Sequence, residues 1–103
     1  MKKIYIAGPY SKGDVAINVK RAMDVANVLI NMGFAPFCPH LSHFLHMNNA
    51  QPYEKWLDLD NQFIPVCDAL LRLPGESSGS DKEVALAESL GIPVYYSIND
   101  LPR

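Results

Sequence analysis

Residues 70–85 read Leu70-Leu71-Arg72-Leu73-Pro74-Gly75-Glu76-Ser77-Ser78-Gly79-Ser80-Asp81-Lys82-Glu83-Val84-Ala85. The apolar residues at the start of this segment predict a buried strand, the small polar residues a loop, and the last residues the first turn of a helix. In an open α/β sheet, ligands bind at the loops that leave the carboxyl ends of the strands, and helix N–H groups there favour anions. Glu83 is expected in that first helical turn, facing the crevice.

The segments on either side predict an alternation of strands and helices. Short apolar runs with β-branched and aromatic residues predict strands, and apolar residues at helical spacing predict helices. The predicted strands are 4–7, 34–38, 69–73 and 92–96, and the predicted helices are 15–32, 53–66 and 81–90. This alternation favours a Rossmann-like (flavodoxin-like) α/β fold, a doubly wound parallel sheet of four to five strands in one small domain over residues 1–103. The expected strand order is 2-1-3-4.

Single residues refine these bounds. Asp14 is expected to cap the first helix, and Gly33 to follow its end. Pro36 favours an edge position for the second strand, because proline cannot donate to a ladder. Pro65 is expected to end or distort the second helix. The nine residues from Pro39 to Met47 are expected to form a loop or a short helical turn, and residues 98–103 a short tail.

The composition argues against several classes of function. With 103 residues and a net charge of -2, the chain lacks the basic surface typical of nucleic-acid binding. No apolar run approaches the ~18 residues of a membrane span, and the apolar run near the N-terminus is too short for a secretory signal. The two cysteines, Cys38 and Cys67, do not make a disulfide framework. We expect a cytoplasmic protein with free thiols.

Two interpretations of Glu83 are open from the pattern alone. Ser80-Asp81-Lys82-Glu83 has the form of a capping box, in which Ser80 caps the helix and Glu83 reaches back to the N–H of the cap residue. The alternative is a carboxylate nucleophile, which can attack an anomeric carbon and form a covalent glycosyl ester. A helix N-terminus helps to keep such a carboxylate ionised.

A nucleophilic carboxylate needs a hydrogen-bond donor to orient it. Tyr5 is a candidate, because its strand should neighbour the strand that precedes Glu83; the alternative for Tyr5 is core packing. Asp60 lies in the second predicted helix and Asp68 directly before the third strand. Both have surface interpretations, and Asp68 is expected to organise the turn into the strand.

A cluster of metal-ligand residue types lies in the middle of the chain. Cys38, His40, His43 and His46 fall within nine residues, and thiolate and imidazole are the usual ligands of zinc. We favour no metal, because no second cluster of this kind occurs in the sequence. The segment is expected instead to shape one end of a pocket or to pack at a subunit contact. Trp56 could stack on a base, but its helical spacing favours core packing.

Three features are informative as a set: the run Ile4-Tyr5-Ile6-Ala7-Gly8, Asp60 eight residues before Asp68, and the segment from Ser77 to Glu83. In this order and spacing they resemble the nucleoside 2-deoxyribosyltransferase superfamily, which includes the 2′-deoxynucleoside 5′-phosphate N-hydrolases. The similarity spans most of the chain, and it implies a nucleoside 2-deoxyribosyltransferase-like domain.

The resemblance implies a role for each matching residue. Glu83 matches the nucleophile, Tyr5 the tyrosine that hydrogen-bonds it, and Asp60 the carboxylate that helps to protonate the leaving nucleobase. Ser77 matches the position that contacts a 5′-phosphate. The other residues expected to bind substrate are Gly8, Ser11, Lys12, Gly79, Trp56 and His43.

The activity implied by the resemblance is cleavage or transfer of the N-glycosidic bond of a (deoxy)nucleoside or nucleoside 5′-monophosphate. It would proceed through a covalent glycosyl ester of Glu83, without a cofactor or metal. Family members are commonly oligomers, so a homo-oligomer is expected. The alternative is a non-catalytic nucleotide-binding module of the same fold.

Overall fold

The computed structural model describes residues 1–102, so Arg103, the last residue of the predicted tail, lies outside the described residues. Within this range, strands and helices alternate along the chain. The strands are β1 (Lys3–Ala7), β2 (Ala35–Phe37), β3 (Ala69–Arg72) and β4 (Val94–Tyr95). The α-helices are α1 (Val15–Asn31), α2 (Ser42–Asn48), α3 (Tyr53–Asn61) and α4 (Ser78–Ser89), and short 3-10 helices form at Pro39–Leu41, Ile64–Val66 and Ile98–Asp100.

The strands form one parallel sheet in the order β2-β1-β3-β4, which confirms the predicted order. β2, with Pro36, lies at an edge of the sheet, as expected. β1 and β3 are neighbours, with Tyr5 opposite Leu70 and Ala7 opposite Arg72. The predicted flavodoxin-like α/β fold is therefore confirmed.

Helices cover both faces of the sheet. Successive side chains of a strand point to opposite faces, so β1 contributes to two separate cores. Ile4 and Ile6 pack in the core that contains Leu29 of α1. Tyr5 packs in the other core, together with Leu70, Ile64 and Ala87 of α4. The side chain of Tyr5 is thereby directed to the face of the sheet that α4 covers.

The start of α4 differs from the prediction. The N-cap is Ser77, whose backbone is extended (φ -163°, ψ 107°) and whose hydroxyl accepts a hydrogen bond from the Ser80 amide at 3.1 Å. Ser80 is therefore inside the helix and does not cap it, so the predicted capping box is wrong. Because α4 begins at Ser78, Glu83 lies in the second turn rather than in the first.

Other local predictions are confirmed or corrected by single residues. Asp14 caps α1, as predicted. α3 ends at Asn61, earlier than predicted, and a 3-10 turn forms around Pro65, which has no N–H to continue an α-helix. Asp68 accepts a hydrogen bond from the Lys3 amide at 2.7 Å, so it joins the start of β1 to the start of β3. The segment expected as a loop or short helical turn contains α2.

Cys38 and Cys67 are both buried and free. Residues 1–102 hold no group of three or more His, Cys, Asp or Glu side chains suited to a metal ion. The four potential zinc ligands therefore do not converge. None of the helices described in this range is long and apolar enough to cross a membrane.

Candidate active site

A cavity of about 210 Å³ lies at the carboxyl ends of β1 and β3, the region where open α/β sheets bind ligands. Its walls come from the loop after β1, the segment containing α2, the inner side of α3, and the first two turns of α4. Among the residues predicted from the sequence, those that line it are Gly8, His43, Trp56, Asp60, Ser77, Gly79 and Glu83.

Glu83, which lines the cavity, is hydrogen-bonded to Tyr5, which lies in the core beneath it. Tyr5 is fully buried and Glu83 is 7% exposed. The Tyr5 hydroxyl donates a hydrogen bond to the Glu83 carboxylate from the floor of the sheet. Burial, with the charge of Glu83, raises the pKa of Tyr5 far above its usual range, so the phenol stays protonated as a donor. The ring of Tyr5 also stacks on Phe37. Tyr5 therefore has both roles considered from the sequence: its ring packs in the core, and its hydroxyl orients the Glu83 carboxylate.

Two carboxyl groups in this cavity titrate near neutral pH. Burial raises the pKa of Glu83 to about 7, although the hydrogen bond from Tyr5 and the charge of Arg72 oppose the increase. Burial also raises the pKa of Asp60 to about 7, and the charge of Glu83 adds to that effect. Like charges in one site disfavour double ionisation, so the pair favours one ionised and one protonated carboxyl near neutral pH. The cavity therefore offers one ionised carboxylate and one carboxylic acid, the two forms that general acid and nucleophilic catalysis need.

Aromatic rings form another part of the cavity wall. The hydroxyl of Tyr10 and Nδ1 of His43 are hydrogen-bonded at 2.7 Å, which joins the loop after β1 to α2. Trp56 Nε1 donates to His46 Nδ1 at 2.9 Å, which joins α3 to α2. Such rings suit a flat heteroaromatic group, because faces and edges of aromatic rings attract one another.

Trp56 differs from its expected position. It is half-buried on the cavity wall and belongs to neither core. The core-packing interpretation is therefore wrong. The reason is its indole N–H: Trp56 reaches His46 at the end of α2, which also accepts a hydrogen bond from the Gln51 amide at 3.2 Å.

His40 supports the loop that follows β1. Its Nε2 donates to the carbonyl oxygens of Gly8 and Pro9, at 3.2 and 3.0 Å. Burial lowers the pKa of His40, so the ring is neutral and Nδ1 is an acceptor. That Nδ1 atom is buried without a hydrogen-bond partner among the described residues. His40 therefore holds the cavity wall as a neutral ring.

The first turn of α4 closes one end of the cavity. The Ser77 hydroxyl is engaged with the Ser80 amide and with Ser80 Oγ, at 3.1 and 2.9 Å. Gly79 is approached by the phenol of Tyr53: a Cβ at Gly79 would lie 2.8 Å from the Tyr53 hydroxyl. Glycine at this position therefore lets α3 and α4 come close together beside Glu83.

Two of the predicted substrate-binding residues lie apart from the cavity. Ser11 and Lys12 are exposed and do not line it. Lys12 lies 3.7 Å from the carboxylate of Glu76, with both side chains largely in solvent. Such an exposed pair contributes little to stability.

Sequence reasoning did not assign roles to Tyr10, His40, His46, Tyr53 and Arg72. The histidine segment was expected to shape one end of a pocket, and His40, His43 and His46 line the cavity, but the sequence did not indicate which atoms each ring contacts. Arg72 also gave a signal, because a charged residue in a strand expected to be buried needs a partner. Its guanidinium reaches the carboxylate of Asp81 at 3.1 Å.

The fold and the site together define a flavodoxin-like α/β domain with a paired-carboxylate cavity at the carboxyl end of its sheet. The model of the family described as "Domain of unknown function (DUF7768)" matches residues 2–97, and the chain belongs to this family.

Among solved structures, the chain is similar to the 2-deoxyribosyltransferase of the psychrotolerant bacterium Bacillus psychrosaccharolyticus. The two share 22% sequence identity with a TM-score of 0.67, over 89% of this chain and 69% of that one. At this identity the likeness establishes the shared fold. No curated protein matches the chain.

Proposed function

We propose that this protein cleaves or transfers the N-glycosidic bond of a (deoxy)nucleoside through a covalent glycosyl ester of Glu83. The observation that carries the proposal is the buried Tyr5–Glu83 hydrogen bond in a cavity that also contains Asp60. The shared fold with a 2-deoxyribosyltransferase and the resemblance of the motifs support the same reaction class.

The proposed reaction has two displacement steps. A carboxylate oxygen of Glu83 attacks C1′ of the sugar while the C1′–N bond breaks and its electron pair leaves with the base. Asp60, as the carboxylic acid, donates a proton to the departing base. Water or a second base then attacks C1′ and releases Glu83; Asp60 now accepts the proton of the attacking group. Tyr5 orients the Glu83 carboxylate and holds part of its charge before the attack.

The cavity favours a substrate without a 5′-phosphate. Phosphate is commonly bound by arginine or lysine, and no such side chain is among the described residues that line the cavity. The two carboxyl groups would repel a phosphate dianion. The Ser77 hydroxyl, which the resemblance assigns to phosphate, already accepts from the Ser80 amide. We therefore rank the nucleoside above the nucleoside 5′-monophosphate as substrate.

The proposal includes a cytoplasmic homo-oligomer. The buried free thiols are consistent with a reducing compartment. Apolar side chains of the α2 segment are exposed beside the cavity, as at a contact between subunits: Leu41, Phe44, Leu45 and Met47 are 47–70% exposed. Sedimentation of the purified protein tests the oligomeric state.

The test of catalysis is direct. The protein is incubated with a panel of deoxynucleosides, ribonucleosides and their 5′-monophosphates, with and without a second base, and free or exchanged base is followed by chromatography. We expect base release or exchange with at least one nucleoside, abolished in Glu83→Ala and retained in Glu88→Ala, an exposed glutamate of the same helix. Retained activity in Glu83→Ala would contradict the proposal. Tight binding without turnover would instead indicate the non-catalytic binding module.

A further inference from the structure

Arg72 is a buried cation beneath the start of α4. It ends β3, is 9% exposed, and pairs in register with Ala7. It shares a face of the strand with Leu70, the register partner of Tyr5. The Arg72 side chain therefore lies on the α4 side of the sheet, two register pairs beyond Tyr5 toward the cavity.

The contacts of Arg72 span the strand, the loop and the helix. Its guanidinium donates to the carbonyl oxygen of Leu73, to that of Gly75 at 3.0 Å, and to the Asp81 carboxylate at 3.1 Å. The planar fork of an arginine can serve several acceptors in this way, whereas a lysine is a single point charge. Arg72 therefore fixes the loop that leads from β3 to Glu83.

The ion pair with Asp81 alone does not account for a cation at this place. The Asp81 side chain is 72% exposed, and such half-exposed ion pairs are worth little. Removing an arginine from water, by contrast, is costly. Arg72 lies on the same face of the sheet as Tyr5, which donates a hydrogen bond to the Glu83 carboxylate, and a nearby cation favours the charged form of a carboxylate.

We propose that Arg72 is a positioning residue of the site: it holds the β3–α4 loop and favours the charged form of Glu83, the form that attacks the sugar. This inference rests on the proposed function. The titratable and charged groups that act on Glu83 or respond to its charge are Tyr5 from β1, Arg72 from β3, and Tyr53 and Asp60 from α3. Arg72 is the cation in this set, and its charge counteracts the increase in the Glu83 pKa that burial causes.

The test is a titration of Glu83 by NMR in protein labelled with ¹³C at the glutamate carboxyl carbons. The Glu83 signal is assigned by its loss in Glu83→Gln. In Arg72→Gln we expect the titration midpoint of Glu83 to rise by about one pH unit, because an adjacent positive charge is lost. Two control variants should leave the midpoint near that of the wild type. Arg72→Lys keeps the charge, and Lys82→Gln removes an exposed charge from the helix that carries Glu83. With an active substrate, the acidic limb of the pH profile of kcat should move to higher pH in Arg72→Gln by the same amount.

An unchanged Glu83 midpoint in a folded Arg72→Gln variant would overturn the proposal, even if its melting temperature were lower. If Arg72→Gln does not fold, Arg72→Lys decides. In Arg72→Lys, amide exchange at residues 77–80 should be about tenfold faster than in the wild type, because the single ammonium group of lysine cannot make the hydrogen bonds of the arginine guanidinium. Unchanged exchange would overturn the proposal. A shifted midpoint in a protein that releases no base would refute the proposed function and retain the action of Arg72 on Glu83, so the two failures are distinct.

Discussion

Replacement of Glu83 by glutamine should change the pH dependence of folding stability in a defined direction. The Glu83 side chain is 7% exposed, and burial raises its pKa from 4.5 to about 7. Below about pH 4.5 the carboxyl is protonated in the folded and the unfolded chain, and the stability it contributes is fully present. As the pH rises toward 7, the unfolded chain loses this proton first, so that stability is lost.

The size of the effect follows from the difference between the two pKa values. Each pH unit of difference corresponds to ~1.4 kcal/mol, so ionisation of Glu83 lowers the free energy of unfolding by about 3 kcal/mol at pH 8. Glutamine cannot ionise and does not show this loss. The stability of Glu83→Gln relative to the wild type should therefore rise by about 3 kcal/mol between pH 4.5 and pH 8. Asp60 acts in the same direction, because the variant removes the negative charge that raises its pKa.

Urea unfolding at pH 4.5, 6 and 8 measures this change. The fluorescence of Trp56, the sole tryptophan, reports the transition. Glu88→Gln is the matched control: its side chain is exposed on the same helix, and its effect should stay within ~0.5 kcal/mol at every pH. A Glu83→Gln effect that does not vary with pH would refute the reasoning, since it would mean that Glu83 titrates as an exposed carboxylate does.

Three further substitutions test the remaining parts of the site. Asp60→Asn should lower base release by about 10²-fold or more through loss of the acid, whereas Asp58→Asn, exposed on the same helix, should have little effect; equal rates for the two variants would exclude Asp60 as the acid. Tyr5→Phe should move the acidic limb of the pH–rate profile to higher pH, because the Tyr5 hydrogen bond lowers the pKa of Glu83, and should cost about 1–3 kcal/mol in urea unfolding at pH 8; an unmoved limb would contradict the pairing. Gly79→Ala should raise KM, because the new Cβ would lie 2.8 Å from the Tyr53 hydroxyl and would push the phenol aside. Stability should not fall, since alanine favours a helix more than glycine does. An unchanged KM would show that Tyr53 does not border the substrate.

Much of the fold follows from local patterns in the sequence. The buried runs around Tyr5 and Leu70 are separated by helices, and this alternation requires a parallel sheet. Once β1 and β3 are neighbours, the register places Tyr5 beside Leu70, on the face that α4 covers. The meeting of Tyr5 with Glu83 was therefore predictable, although the two residues are 78 positions apart.

The start of α4 was less predictable, because Ser77 and Ser80 are both good cap residues. The extended backbone of Ser77, the hydrogen bond that its hydroxyl accepts from the Ser80 amide, and the burial of Ser80 distinguish them, and all three depend on how the loop packs. The same limit applies to the cavity wall. The contact of Tyr10 with His43 joins residues that are 33 positions apart and lies outside any repeating pattern, so local periodicity gives no indication of it.

The central claim is that Glu83 forms a covalent bond with the sugar, and a trapped intermediate tests it most directly. The protein is incubated with a 2′-fluorinated deoxynucleoside, which slows release of the sugar, and the intact mass and the peptide map are measured. We expect one added fluorinated sugar, located on Glu83 and absent from Glu83→Gln. Base release from an unmodified nucleoside without any trapped sugar on the fluorinated one, or a sugar on another residue, would contradict it.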